Sequence, residues 1–392
     1  MLLRYRYRCQ PTPGQRIALA QAFGCARVVW NDALALSQEF YRQGEKYPGG
    51  TALMQRCITQ AKRTPERSWL GDVSASMLQQ SVRDLDKAFR NWWNGKGKVR
   101  APRFKRRSNA QSIRICGKES RTTDHGVRFP KVGDLKLRWS RDLPAPPTSL
   151  TIIKDTRGRY YASFVVEVER PKLQANSKAV GLDLGLTSLA VTSDGEKISP
   201  PRFLRSALKR LRRLQRNLKG KVKGSNRLAK AKRRVARLHG KIADRRLDVL
   251  HKLSTRLIRE NQTVVVEDLN VSGLSKNRKM ARSIADAGWR LLRGLLEYKA
   301  ELHGRALRVI SRWEPTSQRC SACGDRGCKK ELAVRSWTCP ACGTEHDRDV
   351  NAAKNILAAG LAARLNGRGA ESKTGVPASA STRLDREVCY AS

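Results

Sequence analysis

The sequence predicts a multidomain α/β protein, and three observations carry that expectation. "VGLDLG" (180–185) and "VVVEDL" (264–269) are continuous apolar runs of the kind that form strands covered on both faces, each with an acid in it or at its end. From about 111 to 170 the texture changes to short alternating runs such as "YYASFVVEVE", separated by Gly, Pro and Asp, which predicts a small β-barrel or sandwich. Stretches such as "SASMLQQSVRDLDKAFRNWW" (74–93) carry apolar residues at helical spacing.

Taken in order, "LLRYRYRC" alternates Arg4, Arg6 and Arg8 with Tyr5, Tyr7 and Cys9, a strand with one basic face that should join the barrel. Thr12-Pro13-Gly14-Gln15 fits a capping box with proline at the first helical position, and helices should follow as far as Gln43. A basic connector, "GKGKVRAPRFKRR", leads into the β region. After "VGLDLG" a second strand, "SLAVTS", ends at an Asp194-Gly195 turn. Between Arg202 and Lys241 stand 17 Lys and Arg and no acid, while Leu204, Leu208, Leu211, Leu214 and Leu218, then Leu228, Val235, Leu238 and Ile242, recur at helical spacing. This predicts a helical hairpin with an apolar stripe and a basic outer surface that meets nucleic acid. "SIADAGWRLLRGLLEYKAELHG" predicts one amphipathic helix and "RALRVISR" a further strand. The tail after Asn366 is rich in Gly, Ser, Ala and Pro and is expected to be disordered.

At 392 residues there is room for two or three domains. Eighty Lys and Arg against 34 Asp and Glu leave +46. Self-repulsion on that scale penalises a compact state unless a polyanion neutralises it, and nucleic acid does so while releasing counterions. A membrane protein is disfavoured: no apolar run approaches a membrane span, and "MLLRYRYRCQ" has no signal-peptide character. Four of the ten cysteines form CxxC pairs, which favours a reducing compartment and metal over disulfides.

Those four, Cys320, Cys323, Cys339 and Cys342, have the spacing of a closed, structural zinc site. Cys328 lies between the pairs at the wrong spacing; His346 could also be a ligand, with an exposed loop histidine the favoured reading. Three acids also stand out. Asp183 sits within an apolar strand, where a carboxylate costs several kcal/mol unless compensated, and a divalent cation is the obvious compensation. Glu267 ends a strand and Asp349 opens a helix. Acids from three separate segments can converge at one sheet edge and hold two Mg²⁺ for in-line phosphodiester hydrolysis.

"GLDLG", "VVVEDL" and "DRDVNAAKNI", in that order, resemble the three split motifs of a RuvC-like nuclease of the RNase H fold. With the four-cysteine ribbon before the third motif, the N-terminal "PTPGQ…FGCARVVWN" and the stretch "KNRKMARSIADAGW", the chain over residues 1–365 closely resembles the TnpB family, considered ancestral to type V CRISPR effectors. The resemblance implies a RuvC-like nuclease domain (173–315 and 347–365, with a basic helical hairpin at 201–260), an inserted zinc ribbon (316–346), an N-terminal β-barrel wedge domain (1–10 and 110–172) with a helical recognition insertion (11–109), and a disordered tail (366–392). It implies a transposon-encoded RNA-guided DNA endonuclease that binds a guide RNA (ωRNA or reRNA), recognises a short transposon-associated motif and cuts double-stranded target DNA, as a monomer in the cytoplasm.

By motif, Asp183, Glu267 and Asp349 map to the catalytic Mg²⁺ ligands, Asp349 being selected over Asp347 because it directly precedes "xNAAxNI". Tyr47 and Gln79 fall in the region expected to read the motif beside the target; glutamine can read adenine bidentately. Arg212, Arg213, Lys232, Arg233 and Arg234 are the expected nucleic-acid backbone contacts. The competing expectations are a catalytically idle RNA-guided DNA-binding repressor and a transposase acting in strand transfer.

Overall fold

The computed structural model describes residues 1–95, 99–169, 172–327, 331, 333–365 and 387–388. The chain divides into two compact units, with the break between Val168 and Glu169.

The first unit begins with β1 (Leu2–Cys9), which alternates as its sequence does, burying Leu3, Tyr7 and Cys9. The capping box forms as read: Thr12 accepts the Gln15 amide and Gln15 accepts the Thr12 amide. It opens a single uninterrupted helix, α1 (Pro13–Arg42). Shorter helical pieces follow, α2 (Gly49–Met54) and then π and 3₁₀ turns to Asp72, before α3 (Ala75–Asn94). Six strands complete the unit: β2 (Gln111–Cys116), β3 (Arg121–Thr123), β4 (Gly126–Phe129), β5 (Gly133–Arg138), β6 (Pro147–Lys154) and β7 (Tyr160–Glu167). The strands lie in the order β2-β6-β7-β1-β5-β4-β3, all antiparallel, so β1 does join the later strands. No pairing joins β2 to β3 among the described residues, so the ladder is open-ended where the sequence predicts a barrel or sandwich. One apolar core under it takes Tyr7, Phe129 and Phe164 from the strands and Leu19, Val29, Met77 and Leu85 from α1 and α3.

The second unit is built on a five-stranded mixed sheet. β8 (Ala179–Asp183), β11 (Thr263–Glu267) and β12 (Ala306–Ile310) run parallel, and β9 (Ala190–Thr192) and β10 (Lys197–Ile198) extend the sheet antiparallel, in the order β10-β9-β8-β11-β12. Parallel strands buried on both faces explain the unbroken apolar runs. The basic hairpin is α4 (Phe203–Arg216) and α5 (Asn226–Glu260), the latter far longer than the charge run. Leu211, Leu238 and Ile242 close its apolar seam. α5 also packs on α8 (Trp289–His303), where buried Lys299 donates to His251 O (2.8 Å), Ser254 Oγ (2.7 Å) and Thr255 Oγ1 (2.6 Å), one acceptor for each ammonium proton.

The single helix expected over "SIADAGW…" is instead two, α7 (Ala281–Ala287) and α8, preceded by α6 (Val271–Leu274). Gly288, at φ +71°, breaks it. The apolar pattern continues because Ile284, Ala287, Trp289 and Leu292 are all buried. Asp286 of α7 is buried and accepts the Leu204 and Arg205 amides, thereby capping the start of α4. Among the described residues, β13 (Ser336–Thr338), β14 (Glu345–Asp347) and α9 (Arg348–Leu365) complete the regular elements apart from Glu387–Val388, which pair in parallel with β1. The rest of the tail, and Cys328, lie outside the described residues.

Candidate active site and metal centre

β8 and β11 are neighbours in parallel register, Leu182 opposite Val266, so Asp183 and Glu267 emerge side by side at the carboxyl ends of adjacent strands. α9 crosses the sheet face behind them. It can do so because residue 181 is glycine: a Cβ there would lie against the Ala353 carbonyl and 2.7 Å from Leu357 N. A second small residue, Gly360, accommodates Val265, whose Cγ2 would lie 2.8 Å from an added Cβ. The helix is thus seated directly on β8 and β11, with Asp349 in its first turn.

The electrostatics register this convergence. Burial, and then the negative charges of Glu267 and Asp349, push the Asp183 carboxyl up to about 7, with Arg348 opposing. Burial also raises Glu267, against a hydrogen bond from Thr316 Oγ1 to Glu267 Oε1 at 2.7 Å. Asp183 thus feels both other acids, and a group of carboxylates offering oxygen donors fits hard divalent cations. Arg335 approaches Asp349 Oδ1 at 3.6 Å.

The neighbouring acids are differently engaged. Asp347 accepts the Asp349 (3.1 Å) and Val350 (3.0 Å) amides, capping α9, and pairs with Lys197 at 2.6 Å. Burial works against its ionisation, but Lys197 and the two amides together hold its carboxyl below the usual range. Asp268 is held low by Arg312 and Arg293. Asp347 and Asp268 thus have closer basic partners than Asp349, whose Arg335 contact is 3.6 Å.

The four cysteines meet as their spacing predicts. Cys320 Sγ and Cys342 Sγ are 3.8 Å apart, Cys323 Sγ and Cys339 Sγ 3.7 Å, and all four lie within 4.8 Å of one another. A tetrahedron with zinc–sulfur bonds of about 2.3 Å has edges of about 3.8 Å, so the cage fits zinc. Among the described residues this is the one group of three or more His, Cys, Asp or Glu side chains clustered closely enough to hold a metal ion as they stand. Each knuckle closes on a glycine with positive φ, Gly324 (+82°) and Gly343 (+70°).

His346 corrects the sequence reading. It is buried, its Nε2 lies 3.0 Å from Cys320 Sγ, and its ring packs on Trp337. Asn351 and Asn355 of α9 belong to the motif that marks Asp349, but their structural role escapes a reading of the sequence. Asn351 accepts the Ser321 amide (2.8 Å) and donates to Arg319 O (2.8 Å), while Asn355 donates to Thr316 O (2.8 Å) and Arg319 O (2.7 Å). The ribbon's root is therefore stapled to the helix of Asp349, and Thr316 links it to Glu267.

The remaining expected residues are scattered. Arg212, Arg213, Lys232, Arg233 and Arg234 are all exposed on the hairpin's outer surface, where they can meet a polyanion. Tyr47 packs against Phe89 and Trp93 and lines a cavity of about 420 Å³ with Arg83, Asp86 and Arg90. Gln79 is exposed on α3 and does not line that cavity, so the structure does not bring the pair together there.

Known proteins align with these features. Residues 163–278 match a family described as "Probable transposase", 289–356 match "Cas12f1-like, TNB domain", and 1–46 match "Helix-turn-helix domain", although here that last segment is one strand and one continuous helix. The chain is 45% identical over 370 residues to "Putative RNA-guided DNA endonuclease" of Streptomyces pristinaespiralis, covering 93% of this chain and 91% of the relative. It is 34% identical over 380 residues to "Putative RNA-guided DNA endonuclease InsQ" of Escherichia coli K12, covering 92% and 93%. The chain of a cryo-EM structure of a Cas12f1-sgRNA-target DNA complex superimposes with a TM-score of 0.56 at 16% identity, over 87% of this chain and 82% of that one, a likeness of fold. None of the described helices is long and apolar enough to cross a membrane.

Proposed function

This chain belongs to the TnpB family, and on that premise we propose that it is an RNA-guided DNA endonuclease with one nuclease centre formed by Asp183, Glu267 and Asp349. What supports the reading is the placement of Asp183 and Glu267 at the ends of the adjacent parallel strands β8 and β11, with Asp349 in the first turn of α9, the helix packed on both strands. Two magnesium ions held there would lower the pKa of an attacking water and stabilise the leaving oxygen of the scissile phosphodiester. The chain's own contribution is position. Thr316 orients Glu267, Asp347 fixes the start of α9, and Gly181 lets that helix bring Asp349 to the strand ends. The cysteine cage would hold one structural zinc, soft sulfur taking zinc while hard oxygen takes magnesium.

The exposed basic surface of α4 and α5 would track an RNA–DNA heteroduplex, with base pairing supplying target sequence. The first unit would act as wedge and recognition domains for guide RNA and the target-adjacent motif, with Tyr47 and Gln79 as candidate readers. The test is direct. Nucleic acid that co-purifies with the protein is extracted, treated with RNase and DNase, and sequenced, and a target matching its variable end is offered with Mg²⁺. One discrete RNA and guide-directed cutting are expected. Heterogeneous RNA, or no cutting by the protein with its own RNA, would overturn the reading.

A further inference from the structure

Trp313 is 85% exposed, the most exposed large apolar side chain among the described residues. Its position is fixed from both sides. β12 ends at Ile310 beside Glu267, and the chain then makes a tight turn in which Glu314 N donates to Ser311 O (3.2 Å) and Trp313 N to Ser311 Oγ (3.3 Å). Before Trp313 in the chain, Arg312 is paired with Asp268; after it, Thr316 donates to Glu267. Glu314 is further held by Arg319 at 3.8 Å. The feet of the turn thus grip two consecutive residues, one of them in the carboxylate cluster, while the indole at its tip stands in water.

Leaving an indole in water forgoes the stabilisation its burial would give, and the rigid turn does nothing to hide it. Arg312 and Arg319 of the same segment are paired with Asp268 and Glu314, so the demand for an anionic ligand comes from the nuclease reading rather than from local charge. The ligand chemistry that combines negative charge with a flat apolar face is a single-stranded nucleotide, and aromatic rings stack on bases regardless of sequence. Resting on the nuclease reading above, we propose that Trp313 is a positioning residue for cleavage: it stacks on an unpaired base next to the scissile phosphate and so places that phosphate at Asp183, Glu267 and Asp349. Sequence-independent stacking suits a centre that must cut whatever sequence the guide selects.

The experiment compares wild type, Trp313→Ala and Trp313→Phe, each with its co-purified RNA, in single-turnover cleavage with Mg²⁺. Binding of the target without Mg²⁺, RNA content and thermal unfolding are measured alongside. Trp313→Ala should cut about 5- to 150-fold more slowly, the range for losing one base–aromatic stack, while Trp313→Phe recovers most of the rate. RNA content, target binding and unfolding midpoint should not change, since so exposed a ring supports no core. The stack itself is read in an Asp183→Ala background, which holds the target uncut. There, 2-aminopurine placed beside the cut position should be quenched by the native indole and by Trp313→Phe, and not by Trp313→Ala. Unchanged cutting and quenching in Trp313→Ala would overturn the inference. So would a loss of RNA or target binding that accounts for the slower rate, because the ring would then serve the RNA or the duplex. Absence of cutting by the wild type is a separate result: it sinks the nuclease reading, and this inference with it.

Discussion

Asn351 accepts the Ser321 amide at 2.8 Å, joining the first zinc knuckle to the helical turn that carries Asp349. The cysteine cage and the carboxylate centre are thus mechanically one object, although they suit different metals. Stripping zinc with a zinc-selective chelator before Mg²⁺ is added should abolish magnesium-dependent cutting, and the loss should track zinc release measured by a colorimetric dye. Asn351→Ala should give a milder version, about 1–3 kcal/mol of stability from the unpaired amide, with weaker zinc retention.

Removing the acids themselves should separate cutting from binding. Asp183→Ala, Glu267→Ala and Asp349→Ala should each lose detectable cleavage while still retaining RNA and target, scored by filter binding. Asp347→Ala should behave differently, lowering the unfolding temperature through the lost cap by about 1 kcal/mol.

Thr316→Val removes one hydroxyl and keeps the shape. Glu267 would lose a donor to its charged form and its carboxyl would rise further. A roughly tenfold fall in single-turnover rate is expected, about 1.4 kcal/mol, with target binding unchanged. A pH–rate profile displaced to higher pH would identify the cause.

Asp183 gives a pH dependence with a definite sign. Its carboxyl lies at about 7 in the folded chain against 3.8 as a free side chain, so the folded state binds more protons between those values. Stability of the metal-free protein should therefore fall as pH rises from about 4 through 7, by at most on the order of 4 kcal/mol. Asp183→Asn should flatten the curve, and Mg²⁺ should restore stability above about pH 7. A metal-free protein whose stability rises across that window would contradict the burial and repulsion inferred for this group.

Two glycines should respond oppositely to alanine. Gly181→Ala drives a methyl into the backbone of α9 and should lower the unfolding temperature sharply while displacing Asp349. Gly294, inside α8 with nothing within 4 Å of an added Cβ, should gain about 0.5–1 kcal/mol. Differential scanning calorimetry of both variants checks the pair.

Much of this architecture is legible in the sequence where the signal is local or periodic. The parallel strands show as unbroken apolar runs, the capping box of Thr12 and Gln15 as a four-residue pattern, and the zinc cage as two spaced pairs. Asp183 announces itself by being a charge where burial forbids one. What escapes is tertiary. Gly288 ends one helix and starts another without interrupting the apolar pattern, because both helices bury residues on either side of it. His346 looks like a loop histidine until β13 and β14 pair and set it against Cys320. Asn351 and Asn355 stand in the motif that marks Asp349, but nothing local names their partners: Arg319, Ser321 and Thr316 lie 30 to 39 residues away in the chain. The glycine after each CxxC is a visible signal, since a tight knuckle needs a positive φ.

The turn joining α4 to α5, residues 217–225, is exposed around Lys219, Lys221 and Val222 and contributes nothing to the sheet. A break there would leave Asp183 on one fragment and Glu267 with Asp349 on the other. The pairing of β8 with β11, the seam of α4 on α5 and the seating of α9 on Gly181 are then the forces that bring the pieces back together. The hairpin tip is thus a natural place to divide the enzyme into two inert halves whose activity returns on association, a switch set by fragment concentration.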